Sequence, residues 1–271
     1  MEELIIEPGR TERNYWRDIW RFRELLFFLT QRDLLVRYKQ TVIGVAWALV
    51  RPAIMMVVFV AFRRITKISS SVAPDPILVM SAVLPWQFFA SAFSEASNSL
   101  IVNANLVSKI YFPRLLVPAG AVLASFVDFA VTLGLLGVLM VWYGFAPGWQ
   151  IVVLPLLTVL LFGLSVGIGV LLAAVNVQYR DFRYIVPFIV QFGFLVSPVA
   201  IETSRVPPAW RLVYSLNPLV GIIDAFRWSI VEGRTPVEPI TVGLSVAVTV
   251  LLLFFGIWYF RRTERGFADV I

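Results

Sequence analysis

RDLLVRYKQTVIGVAWALVRP, residues Arg32 to Pro52, is where a charged, aromatic segment turns into the first long apolar run of the chain. Read outward in both directions, it separates two kinds of sequence. Upstream, YWRDIWRFRELLFFL places Trp16, Ile19, Trp20, Leu26 and Phe27 near helical spacing, with Arg13, Arg17, Arg21 and Glu24 largely between them. That pattern predicts an amphipathic helix in the headgroup layer, with tryptophan at the interface and arginine facing water or phosphate. Downstream the chain is mostly lipid-soluble. The stretch therefore reads as the hinge between a membrane-surface helix and the first membrane-crossing helix.

Composition agrees. The chain of 271 residues is 59% hydrophobic and 15% charged, with a mean hydropathy of +0.83, against about 25% charged residues in a soluble domain. About 20 apolar residues cross the hydrocarbon core as a helix, and runs of that kind recur. The alternating segments of roughly ten residues that mark membrane β-barrels do not. The expected fold is an all-α integral membrane protein in two parts. Residues 1–31 form a cytoplasmic N-terminus with an amphipathic interfacial helix, and residues 32–271 form a domain of six transmembrane helices with short re-entrant or gate helices before the last. MEELIIEPGRTERNYW has no apolar core or cleavage site and does not read as a signal peptide.

The expected spans are 42–62, 77–93, 115–143, 151–175, 185–201 and 240–260. Arg51, just before Pro52, is either an interfacial anchor or a pathway residue, depending on where the first helix begins. Pro85 is expected to kink the second span. Asp128 lies deep in the third, where an acid is either functional or bonded to a neighbouring helix. GLSVG, Gly163 to Gly167, matches the nucleophile-elbow pattern, but it sits inside an apolar helix in a chain without histidine. Its glycines, with Ser165, Gly169 and Ala173, read instead as a close helix-packing face. Leu219 to Ile230 is too short to cross and contains Asp224 and Arg227, which suits a re-entrant or interfacial helix.

Six spans put both termini on one side. Fifteen of the 23 Lys and Arg residues fall on that side and seven on the other, so the positive-inside rule predicts cytoplasmic termini in a cytoplasmic membrane. Basic residues clustered at one membrane face also argue against nucleic acid as the partner.

The chemistry open to such a chain is narrow. It has no cysteine and no histidine, which removes thiolate and imidazole metal ligands and the commonest general base. No D-x-D-like cluster supports a glycosyltransferase. Asp128, with Glu95, is thin material for an ion-coupled carrier. There is no G-x-x-x-x-G-K-[ST] phosphate loop. What remains is a membrane pathway driven from outside the chain. Aromatics make up 14% of the residues, and Trp86, Phe88, Phe89, Trp142, Tyr143, Phe188, Phe192 and Phe194 sit in or near the spans. They are either sugar-stacking surface or lipid-facing belt.

Four motifs, in order, resemble a known family: RYKQTVIGVAWALVRP, NANLVSKIYFPRLLVP, YRDFRY followed by LVSPVAI, and SLNPLVGIIDAFRWSIVEG. They look like the membrane (permease) subunit of ABC-2 type polysaccharide exporters, which carry O-antigen, capsular polysaccharide or teichoic acid. The resemblance implies a homodimer joined by two copies of a separate ABC ATP-binding subunit. ATP and Mg would be bound there, with no cofactor on this chain, which is not itself an enzyme. It also implies that a lipid-linked polysaccharide is the substrate. Carried onto this sequence, it implies a cytoplasmic gate helix with Trp16, Arg17, Trp20 and Arg21, and an ATPase-coupling segment with Asn105, Leu106, Lys109 and Phe112. Arg51, Trp86, Phe89 and Asp128 are candidate pathway residues, and Trp210, Asn217, Asp224 and Arg227 candidate outer-gate residues. SPVAIETSRVP departs from the family in lacking the Tyr-Pro that often follows SPV. The rival within the superfamily is a drug or small-lipid exporter, and an ion-coupled carrier is a more distant alternative.

Overall fold

A computed structural model describes residues 15–39, 46–67, 72–179, 181–199 and 203–267. Among these the regular structure is entirely helical. Helix α1 (Tyr15–Arg21) and α2 (Arg23–Tyr38) meet at a bend at Phe22, across which the backbone bonds nearly continue. Then come α3 (Ala46–Ile65), α4 (Asp75–Val102), the short α5 (Ala104–Lys109), α6 (Leu116–Trp142) and α7 (Leu154–Gln178). The chain closes with α8 (Phe182–Leu195), α9 (Pro208–Ser215), α10 (Pro218–Ile230) and α11 (Pro239–Thr263). Proline opens α4, α7, α9, α10 and α11 within the first two positions, where its missing N–H has no helical partner to lose.

Five helices are long and apolar enough to cross a membrane: 46–65, 75–102, 116–142, 149–178 with a leading 3-10 turn, and 239–266. The expected fifth span, 185–201, differs. Its helix is α8, 14 residues long, or about 21 Å against a hydrocarbon core of about 30 Å. It stops in turns at residues 196–199. The remaining depth is filled by α9 and α10, which fold back as a re-entrant pair, with Ile222, Ile223, Phe226 and Ile230 fully buried. The sixth passage is thus made of α8 together with the outer pair. The second span is longer than expected, since α4 runs through Pro85 and on to Val102, and Glu95 and Asn98 stay helical.

At the centre stands α4. Within its most apolar stretch 78% of residues are buried, against 11% for α3. It packs on α3, α6, α7, α8 and α10, and its Ala82, Ala92, Ala96, Ser81 and Ser97 let neighbours approach on every side. The α7–α11 crossing is tighter still. A Cβ on Gly256 would lie 2.2 Å from the Gly167 carbonyl oxygen, and one on Gly167 would lie 2.7 Å from Leu253 Cα. Gly167 therefore does what the packing reading of GLSVG requires, with Gly256 as a partner the motif did not reveal. Gly163 has ordinary room, and Gly169 faces Ala96 of α4. Outside this core, α3, α8 and α11 keep long apolar faces that no other segment covers among the described residues.

The bundle has two distinct ends. Tyr15, the 110–114 turn and the last turns of α11 line one cavity at one end, where Tyr259 of α11 also bonds Gln178 at the end of α7. Residues 72, 150, 203 and 232–238 gather at the other, through bonds such as Gln150 to the Glu232 carbonyl and Arg234 to the Val72 carbonyl. Tyr15 and Phe267 thus lie at the same end of the bundle as α5.

Candidate functional site

The end that carries the termini holds two features. The first is the segment from Asn103 to Arg114. Helix α5 presents Asn105 and Lys109 outward and Leu106 partly so, whereas Val107 and Phe112 are buried. Phe112 is therefore an anchor that fastens the segment to the bundle, and of the four candidates Asn105, Lys109 and, in part, Leu106 reach the surface. Trp16, Arg17, Trp20 and Arg21 of α1 are exposed beside it. Tyr15 faces inward, and burial first, then the nearby Glu264 carboxylate, push its hydroxyl well above its ordinary pKa. The second feature is the cavity itself, of about 830 Å³.

Helix α2 does not lie flat along its whole length. Thr30 donates to the Gly120 carbonyl near the start of α6 at 3.4 Å, and Arg32 donates to Asn103 at the end of α4 at 2.6 Å. Five residues on, Arg37 reaches inward to ion-pair with Asp128 of α6 and with Glu95 of α4, the latter at 3.2 Å. Tyr38 donates to the same Asp128 carboxylate. Asp128 stands twelve residues into α6, about 18 Å along it. The last two turns of α2 therefore run down beside α6, and residues 32–38, expected as part of the hinge, belong to this helix. The rest of the expected hinge, residues 40–45, lies outside the described residues. Of the two readings of Asp128, the structure shows the bonded one. Sequence reading missed Arg37 and Tyr38 as its partners, and Glu95 as the second acid on Arg37. The available signal was that an acid deep in a span needs a cation, and Arg37 and Tyr38 stood just before the first span.

The aromatic residues divide into two layers. Trp86 and Phe89 are 4% and 6% exposed. Trp86 packs on Phe194 of α8, which in turn meets Phe59 of α3, and Phe89 packs on Phe93. A second buried cluster joins Phe88, Phe126, Phe129, Phe162 and Phe226. The first set holds α3 and α8 to α4, and the second joins α4 to α6 and α7 and α6 to α10. Gly193 makes the seat possible, since a Cβ there would sit 3.1 Å from the Trp86 ring. Uncovered on α8 are Phe188 and Phe192, with ring centroids 4.0 Å apart. Arg51 is exposed in the second turn of α3, with no hydrogen bond or ion pair among the described residues.

At the opposite end the re-entrant pair is stapled to α8. Asn217 caps α10 by accepting from the Leu219 N–H at 3.1 Å. It also donates to the Val196 carbonyl and Ser197 hydroxyl, both at 3.2 Å. Arg227 pairs with Asp224 at 3.2 Å and donates to the Pro198 carbonyl at 2.6 Å. Both are buried, and a buried charge pair with this many bonds sets a position more than it adds stability. Trp210, by contrast, is exposed on α9. Asn217, Asp224 and Arg227 thus converge on the 196–199 turn, and Trp210 does not.

With this geometry in view, comparison with known proteins is direct. A family model described as ABC-2 type transporter matches residues 24–231, from the first turn of α2 to the end of α10. A protein of Myxococcus xanthus named O-antigen export system permease protein RfbA is 28% identical over 258 residues, covering 94% of this chain and 98% of that protein. Two Klebsiella pneumoniae proteins of the same name are each 24% identical over 253 residues, covering 92% of this chain and 95% of theirs. An all-helical membrane bundle with a docked N-terminal helix and a re-entrant pair, matched by the family model over three quarters of its length, belongs to the ABC-2 type transporter family.

Proposed function

We propose that this chain is the channel-forming membrane subunit of an ATP-driven exporter that moves a lipid-linked polysaccharide outward across the cytoplasmic membrane. The observation that carries the reading is the end-to-end match to permeases named for O-antigen export, which leaves almost none of either chain unaccounted for. The structure supports a pathway formed with a second copy. Helix α3 is nearly bare, α8 offers Phe188 and Phe192 on its open side, and a homodimer that joined these faces would give a wall of aromatic and apolar groups. Sugar rings stack on aromatic faces without being trapped by charge. Trp86 and Phe89 support that wall from behind, Arg51 stands near its inner mouth, and the α9–α10 pair closes its outer end. The excess of basic residues at the end with the termini supports its placement in the cytoplasm. There Asn105, Leu106 and Lys109 form the grip for an ABC ATP-binding subunit, which would supply ATP hydrolysis with its Mg. The α1 surface bearing Trp16, Arg17, Trp20 and Arg21 gates the entrance.

The test is the fate of polymer in cells lacking the gene. Lipid-linked polysaccharide is expected to build up on the cytoplasmic side and to vanish from the surface. Normal surface polymer with no internal build-up would overturn the reading and favour a drug or small-lipid exporter.

A further inference from the structure

The cavity at the end that carries the termini is built from two unlike halves. One half is cationic: Arg114, Arg261, Arg262 and Arg265 line it, against the two carboxylates Asp18 and Glu264. Glu264 is already engaged, its carboxylate accepting from the Arg114 backbone N–H at 2.8 Å and its carbonyl from the Arg114 guanidinium. Arg261 lies over the Tyr15 ring at 4.6 Å and Arg262 over the Trp258 ring at 5.6 Å. Stacking fixes a guanidinium plane while its N–H edge still points outward to donate. No hydrogen bond uses either edge among the described residues. The other half is apolar. Phe254, Ile257 and Trp258 line it, and from Phe254 and Trp258 an exposed apolar strip continues along α11 through Phe255 and Leu251 at helical spacing.

Depth joins the two halves. Helix α11 has 25 residues and is about 37 Å long, more than the hydrocarbon core of about 30 Å. Its last turn, with Arg261 and Arg262, therefore stands in the headgroup layer, and Trp258 sits at the boundary where tryptophan is favoured. The strip from Leu251 to Trp258 runs from there into the acyl region. A ligand that satisfies both halves carries phosphate at one end and hydrocarbon at the other.

We infer that this cavity binds an anionic glycerophospholipid of the surrounding bilayer, its phosphate held by Arg261 and Arg262 and its acyl chains laid on the Leu251–Trp258 face of α11. Basic pockets between helices at the cytoplasmic side of a membrane commonly bind such head groups. The bound lipid would bridge α11 to α1, because Arg261 touches both the phosphate and the Tyr15 ring. No residue of α3 or α8 lines the site, and the inference uses only the membrane setting, so it stands or falls apart from the exporter reading.

The full-length protein in detergent is titrated with dioleoylphosphatidylglycerol or dioleoylphosphatidylcholine, and bound lipid is counted by native mass spectrometry. Phosphatidylglycerol should be retained in preference to phosphatidylcholine. The double variant Arg261→Gln/Arg262→Gln should lose about 30-fold in affinity for phosphatidylglycerol, two factors of about five, while Arg64→Gln at the opposite end should lose nothing. Equal retention of the two lipids, or undiminished phosphatidylglycerol binding by the double variant, would overturn the inference. So would displacement of the lipid by millimolar glycerol 3-phosphate, which would mark a site for soluble phosphate. Because the double variant also removes the Arg261 stack on Tyr15 of α1, the wild-type protein is also cross-linked with a photoreactive phosphatidylglycerol. Adducts should map to residues 110–114 and 251–265, and adducts confined to other segments would sink the idea.

Discussion

Removal of the charge at Arg37 should release the inner half of α2 from the bundle. Arg37 is the shared cation of two carboxylates, Asp128 and Glu95, so Arg37→Gln leaves two acids facing each other with no counter-charge. Breaking a fully buried pair costs about 3 to 5 kcal/mol, whereas exposed pairs contribute about 0 to 1 kcal/mol. The side chains of Arg37 and Asp128 are 24% and 22% exposed, and that of Glu95 is 54% exposed, so the Arg37–Asp128 bond dominates and the Glu95 bond adds little. An intermediate cost of about 2 kcal/mol follows for Arg37→Gln. Asp128→Asn should cost less, because Arg37 keeps Glu95 and an amide oxygen still accepts from Tyr38. The two changes together should cost less than their sum, because neither a lone cation nor a lone pair of acids remains. The assay is amide hydrogen exchange in lipid nanodiscs, followed at residues 30–38. A loss of about 2 kcal/mol appears as roughly 30-fold faster exchange there, with α7 and α11 unchanged. Unaltered exchange at 30–38 in Arg37→Gln, or strictly additive single changes, would refute the idea that this cluster holds α2 down.

Three further outcomes are expected. Gly256→Leu should force α7 and α11 apart and lower the thermal stability of the solubilised protein by about 1 to 3 kcal/mol or more, whereas Gly163→Ala should be nearly neutral, since its nearest neighbours are 3.9 Å from the added carbon. Lys109→Ala should leave the melting temperature unchanged and reduce stimulation of the partner's ATPase, while Phe112→Ala should lose about 3 kcal/mol of stability; the reverse pattern would show that the inner anchor and the outer grip had been assigned the wrong way round. Burial first, and then the hydrogen bond and charge of Asp128, push the Tyr38 hydroxyl up to about 12 from an ordinary 10; its stabilising share is complete below about pH 10 and is lost as pH rises toward 12. Tyrosinate absorbance should show a tyrosine titrating near 12 that moves toward 10 in Asp128→Asn, while Tyr15, raised by its own burial, stays later still.

Much of the architecture was legible in the residues alone. Long apolar runs must be helical in lipid, because only a helix satisfies its own backbone there, so four spans fell within a few residues of their expected places, while α4 ran past its expected end to Val102. The short apolar piece with Asp224 and Arg227 could not cross, and it is the re-entrant α10. The asymmetry of Lys and Arg and the proline-led helix starts were equally plain. These are local properties, decided by the length, polarity and order of residues near one another in the chain.

What tertiary structure alone decided lies between segments distant in sequence. Nothing in YWRDIWRFRELLFFL says that the helix after it bends inward until Arg37 meets Asp128, 91 positions away. The aromatic residues of α4 read like those of α8, yet Trp86 and Phe89 are buried while Phe188 and Phe192 are open. That difference depends on which helix stands at the centre. Gly256 gave no motif, because its purpose exists only where α7 crosses it. Tyr15, Arg114 and the stacked Arg261 and Arg262 lie far apart along the chain, and only the folded bundle brings them to one cavity. Hydrophobicity places each helix in the membrane with energies that the segment itself carries, whereas lipid is as apolar as the helices and sets no preference among their faces. The choice of partners is left to close packing and to the few charges that must find one another.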